Sequence, residues 1–310
     1  MSDLSIAILI IGCLCFLTFR GGSRVCRYRS GSARFFAYAF AVLLLPLYFA
    51  FVWDRPILAQ LIPSSGLIVL GNWLPLWACF FLGSYMSTES VSLLRRRLLC
   101  TLTVLLVTYS LAAPRMGTAP DCSDQDPAQE LIYQTTPYTC SAACAASILR
   151  LHGIEASEGE MAHLCLTRKG THWMGLFRGL KLKTRGTDWT VVADAYSQEA
   201  LDSMTHPGIL AINVDTTRFD SEVDHGFSSQ SGHSVIYLGR SPGDGTVVFD
   251  PSPDFGMEDW FQTTRDSVRD GVILRLVPRT AELTSTHPVR EKVNRMLQRR
   301  RLATGLVQSR

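Results

Sequence analysis

The chain has 310 residues and a formal net charge of +3, with 30 Lys and Arg against 27 Asp and Glu. So even a balance gives no argument for a nucleic-acid surface, and with no zinc-finger or other nucleic-acid motif no such partner is expected. No G-x-x-x-x-G-K-[ST] stretch occurs, so the chain carries no ATP-driven motor of its own.

Four apolar runs open the chain, at Leu4–Phe19, Phe35–Val52, Leu67–Met86 and Leu98–Ala113. They lack a polar face, and a span needs ~20 mostly apolar residues, so residues 1–113 are expected to form four transmembrane helices. The first run has no Lys or Arg before it and no small-residue cleavage site after it, unlike a signal peptide. Arg20, Arg24, Arg27, Arg29 and Arg34 follow the first run, Arg55 alone follows the second, and Arg95, Arg96 and Arg97 follow the third. By the positive-inside rule the first and third loops are cytoplasmic. Everything after Ala113 is then expected outside the cytoplasm, in the periplasm or the external medium.

Residues 114–130, with Pro114, Gly117, Pro120, Pro127 and four acidic side chains, read as a linker. Residues 131–280 have ordinary soluble composition. Pro137, Tyr138 and Thr139 make an extended approach to a helix that runs to His152, with Gly153 as its left-handed exit, so Cys140 falls at the helix N-terminus. There the free N–H groups and the dipole favour a thiolate. Gln134, six residues upstream, is placed to offer an amide N–H to an oxyanion.

Ser157 and Glu160 form a capping box for a second helix ending near Leu166, and Thr171 is expected to cap a third through Lys183. Strands are expected at Trp189–Val192, Ile209–Val214, His233–Leu238, Thr246–Phe249 and Val272–Val277. Residues 215–231, rich in Ser, Asp and Gly, read as a long loop before His233. The midpoint between His233 and Asp250 falls between Ser241 and Pro242, inside the turn-forming Ser-Pro-Gly-Asp-Gly stretch. A hairpin there sets His233 opposite Asp250, where a carboxylate can hold an imidazole. Helices first and an antiparallel sheet second is an α+β layout.

Gln134, Cys140, Gly170-Thr171, Gly175-Leu176, Gly232-His233 and Asp250-Pro251 together resemble the bacteriocin-processing, papain-like cysteine peptidases that cut double-glycine leaders, including their stand-alone relatives. The resemblance spans Leu131 to Val277. It implies a papain-like fold, a peptide or protein substrate, Cys140 as nucleophile, His233 as general base, Asp250 as its orienter and Gln134 as oxyanion donor. The family often has Gly directly after the Cys, where this chain has Ser141. Exporter-fused members carry the peptidase first and an ATPase last, so an export role does not carry over. A second reading keeps the same cleft as a module that binds a peptide or partner without cutting it.

The other His residues show no metal-ligand spacing, and no metal or cofactor is expected. Outside the cytoplasm one disulfide is expected among Cys122, Cys144 and Cys165, with Cys122–Cys165 favoured and Cys144–Cys165 as the alternative. Residues 281–310 form a basic tail with a partial apolar stripe at Val293, Met296, Leu297 and Leu302. It reads as a solvated helix or as a segment lying on anionic lipid.

Overall fold

The computed structural model describes residues 2–27, 31–87, 92–214, 232–241, 245–279 and 288–308, so the expected loop at 215–231 and the turn at 242–244 lie outside the described residues. The chain forms two compact units, one up to Gly117 and one from Thr118 onward.

Among the described residues the first unit is built of helices joined by short turns. Helices α1 (Asp3–Cys26), α2 (Gly31–Phe51) and α6 (Leu93–Ala112) cover three of the apolar runs. The run from Leu67 to Met86 is divided into α4 (Leu67–Leu70) and α5 (Leu74–Met86), and a short α3 (Ile57–Leu61) precedes it. Among the described residues four segments are long and apolar enough to cross a membrane. Helices α1 and α5 pack closely: Ser23 Oγ donates to the Gly83 carbonyl and Ser84 Oγ to the Gly22 carbonyl, both at 3.0 Å. Leu9, Phe36, Leu43 and Leu105 stay exposed, an apolar surface suited to lipid rather than to water.

The second unit has the expected order, helices first and an antiparallel sheet second, a mixed α+β architecture. Helix α7 (Cys140–Leu151) sits at its centre, with Ser141 to Leu149 and Leu151 all buried. A helix apolar on every side must be enclosed, and α8 (Glu158–Leu164), α9 (Trp173–Lys183) and the sheet enclose it. Gly153 ends α7 with φ +74°, and Ser157 Oγ caps α8 by accepting from the Glu160 N–H. The Glu160 carboxylate turns to Lys183 at 2.8 Å instead of closing a box. The cap of α9 is His172, whose Nδ1 accepts from Met174 N–H, and not Thr171, whose hydroxyl pairs with Thr167 at 2.7 Å.

Gly175 explains how closely α9 approaches the end of α8. A Cβ there would stand 2.3 Å from the Cys165 carbonyl oxygen, a backbone atom that cannot swing aside. Gly175→Ala should therefore push the helices apart and lower stability by ~1–3 kcal/mol, read as a lower unfolding midpoint. An unchanged midpoint would contradict this packing.

The sheet has six antiparallel strands in the order β1-β6-β2-β3-β4-β5: β1 (Trp189–Ala195), β2 (Gly208–Val214), β3 (His233–Arg240), β4 (Thr246–Asp250), β5 (Gly256–Trp260) and β6 (Val268–Pro278). Leu210, Ile212, Val235, Tyr237, Val248 and Ile273 form its core with Leu201 and Met204, which lie in and just after α10 (Gln198–Asp202). Strand β5 and the short α11 (Gln262–Asp266) were not expected; Glu258 and Asp259 interrupt the apolar alternation that marks a strand.

All nine cysteines are free, so neither expected disulfide is formed. Cys122 lies against Gly159 in the first turn of α8, whereas Cys165 caps the other end. Six residues of helix rise separate these points by roughly 9 Å, beyond the reach of a disulfide. Cys144 is engaged elsewhere, its Sγ donating to the Ser234 carbonyl at 3.3 Å.

The basic tail is a helix, α12 (Pro288–Gln308), docked on the second unit. Val289 and Val293 are buried, and Leu297 packs over Gly239. Lys292 pairs with Glu130 at 2.6 Å and Arg300 with Asp259 at 2.7 Å. It is therefore not a freely solvated helix.

Candidate active site

The segment leading into α7 is held from both sides. Ile132 N–H donates to Ser147 Oγ at 2.8 Å, and Gln134 N–H donates to the Pro251 carbonyl at 2.7 Å. Glu158, fully buried, accepts at Oε1 from Thr135 N–H (2.8 Å) and at Oε2 from Thr135 Oγ1 and Gln125 Nε2 (both 2.9 Å). Thr139 precedes the helix without capping it, because its hydroxyl donates back to the Thr136 carbonyl at 3.0 Å. The first N–H groups of α7 thus receive no side-chain cap, and Cys140 is the first helical residue.

His233 and Asp250 meet by side chain, His233 Nε2 to Asp250 Oδ2 at 2.8 Å. They are not directly opposite as expected. Ile236 stands across from Phe249 and Tyr237 across from Val248, with Leu238 bulged out before Gly239 meets Val247. Continuing that register sets Asp250 beside Val235, two residues from His233. Such diagonal neighbours are still within reach of an imidazole and a carboxylate. Asp250 is 2% exposed, and its Oδ1 accepts from Ser252 N–H at 2.8 Å, which fixes the carboxylate plane.

With Nε2 committed to Asp250, the other ring nitrogen, Nδ1, is left for the Cys140 thiol, to which His233 is hydrogen-bonded. Burial opposes a charged ring, yet the hydrogen bonds to Asp250 and Cys140 outweigh it and carry the His233 pKa up to about 10. Burial likewise opposes a Cys140 thiolate. The His233 hydrogen bond and charge, the Ser234 N–H and the Ser141 hydroxyl overcome it, and the thiol pKa falls below its ordinary value. The two shifts run in the directions that favour a thiolate beside an imidazolium. Cys144 and Cys165 go the other way: burial holds Cys144 well above the usual thiol range and pushes Cys165 up to about 12. Of these three cysteines only Cys140 has its thiol pKa lowered.

Two serines tie the helix to the strand. Ser141 Oγ and Ser234 Oγ are 2.8 Å apart, one beside Cys140 and the other beside His233. Sequence reasoning noted Ser141 only as a departure from glycine and passed over Ser234. The signal was their position next to Cys140 and His233. Gln134 is fixed through its backbone to the residue after Asp250, and its Oε1 is buried without a partner among the described residues. Of the other positions in that resemblance, Thr171 pairs with Thr167, Gly175 and Leu176 pack against Cys165 at the end of α8, and a Cβ on Gly170 would meet nothing within 4 Å. Among the described residues no group of His, Cys, Asp and Glu could hold a metal ion.

No protein-family model and no curated protein matches the chain. Two solved structures are similar to its second half. One is the peptidase domain of Streptococcus ComA, a bi-functional ABC transporter involved in a quorum-sensing pathway, with 19% identity over 48% of this chain and 98% of that chain and a TM-score of 0.38. The other is the peptidase domain of Streptococcus mutans ComA, with 18% identity over 48% of this chain and 100% of that chain and a TM-score of 0.33.

Proposed function

We propose that the chain is a membrane-anchored cysteine peptidase that hydrolyses peptide bonds on the extracytoplasmic side. One observation carries the reading: His233 is held through Nε2 by the buried Asp250 and lies beside Cys140, whose thiol pKa it lowers. The Cys140 thiolate attacks the substrate carbonyl carbon, and the C–N bond later breaks as His233 Nδ1–H gives its proton to the leaving amine. The tetrahedral oxyanion is held by the Cys140 backbone N–H and the Gln134 carboxamide, and losing one such donor costs ~3 kcal/mol of barrier. The neutral imidazole then takes a proton from water, which attacks the thioester and frees the acid. Asp250 fixes the ring tautomer and stabilises its charge without taking the proton.

A purified full-length chain should generate new termini in a peptide mixture, and Cys140→Ala should generate none while still binding the peptides it would cut. Equal cleavage by Cys140→Ala would overturn the assignment. Binding without cleavage by either protein would favour the non-cutting module.

The extracytoplasmic site rests on arginine counts of five, one and three in successive loops. Reporter fusions near Arg97 and near Asp124 should report opposite sides of the membrane. A cytoplasmic signal at Asp124 would contradict it.

A further inference from the structure

Helix α12 is anchored at both ends of a gap. Lys292–Glu130 and Arg300–Asp259 hold it in place, yet between them lies a cavity of about 590 Å³. That volume is in the range of small-molecule sites. The apolar part of its lining is made by Tyr133, Phe249 and Met257 together with Met296 from the helix, and Gln129 and the Glu130–Lys292 pair line it as well. Phe249 is fully buried, and the Tyr133 ring meets it edge-on with centroids 5.2 Å apart. Arg295 and Arg299, one turn apart on α12, line the exposed mouth. Neither has a hydrogen bond or ion pair among the described residues, although Lys292 and Arg300 on the same helix do.

From this cavity we infer a binding site for a phosphate-headed amphiphile, an anionic membrane lipid, with its phosphate between Arg295 and Arg299 and its apolar stem on Tyr133, Phe249, Met257 and Met296. Two unpaired guanidiniums favour an anion. Each offers five N–H donors, more together than one carboxylate can accept, so a phosphate with more oxygens fits the pair better. The source is a lipid because the same chain carries four segments able to cross a bilayer. The site is distinct from the thiol but shares its scaffold: Tyr133 precedes Gln134, and Phe249 precedes Asp250.

The test titrates full-length protein in an uncharged detergent with dihexanoyl phosphatidic acid, read by calorimetry on the Cys140→Ala variant so that no turnover intrudes. Saturable binding is expected, weakened at least tenfold in Arg295→Ala/Arg299→Ala, whose exposed positions leave the fold intact. Dihexanoyl phosphatidylcholine, hexanoate and inorganic phosphate should each bind at least tenfold more weakly. Met257→Trp, which fills the space along that apolar lining, should also lose binding with an unchanged unfolding midpoint. No binding, binding unaffected by the arginine pair, or equal binding of hexanoate or free phosphate would each overturn the proposal.

Discussion

Replacing His233 by alanine should slow alkylation of Cys140 at pH 6 by on the order of a hundredfold, because each pKa unit changes the thiolate fraction tenfold. In the native protein the imidazolium beside the sulfur holds the thiol below its ordinary range. Without the ring, the Ser234 N–H and the Ser141 hydroxyl still favour the thiolate, but they are smaller effects than burial, which raises a thiol. The sign follows for turnover as well. Acid falling through the lowered Cys140 pKa protonates the nucleophile, whereas alkali rising through about 10 removes the His233 proton that the leaving amine needs. A bell-shaped profile is expected, with limits that belong to the coupled pair rather than to either residue. Alkylation rates measured from pH 5 to 10 on both proteins check this; identical profiles would dissolve the ion pair.

Glu158→Ala should be the most damaging change outside the thiol site. The buried carboxylate accepts from Thr135 N–H, Thr135 Oγ1 and Gln125 Nε2, and removing it leaves three donors without a partner. At ~1–3 kcal/mol for each buried donor left unpaired, the loss is at least ~3 kcal/mol. For a unit of this size that lowers the unfolding midpoint by roughly 6–12 °C. Turnover should fall at temperatures where the fold survives, since Thr135 adjoins Gln134. Glu158→Gln keeps one acceptor and should lie between. A midpoint within 2 °C of the native protein would show that water replaces the carboxylate.

What could be read from residues alone follows from how local the causes are. Cys140 at a helix start, Gly153 as its exit and the pairing of β3 with β4 depend on neighbours within one or two turns, and the structure has them. The direct opposition of His233 and Asp250 failed because the ladder centres on position 243, with Arg240 across from Thr246, and not between Ser241 and Pro242; the bulge at Leu238 recovers only part of that offset. Strand β5 hid behind Glu258 and Asp259, which an edge strand can carry on its open side. His172 took the cap from Thr171 because Thr171 found a partner in Thr167. The expected disulfide counted available thiols but not the length of α8 that separates Cys122 from Cys165. Glu158, Ser234 and the docking of α12 are contacts between distant parts of the chain, and no local pattern announces them.

Mass analysis of the Cys140 peptide, from protein quenched in acid during turnover, tests the central claim most directly. A thioester carrying the acyl half of the substrate should appear on Cys140 and on no other cysteine, and it should be absent from His233→Ala. Turnover with no adduct on Cys140, or with undiminished rate in Cys140→Ala, would contradict it.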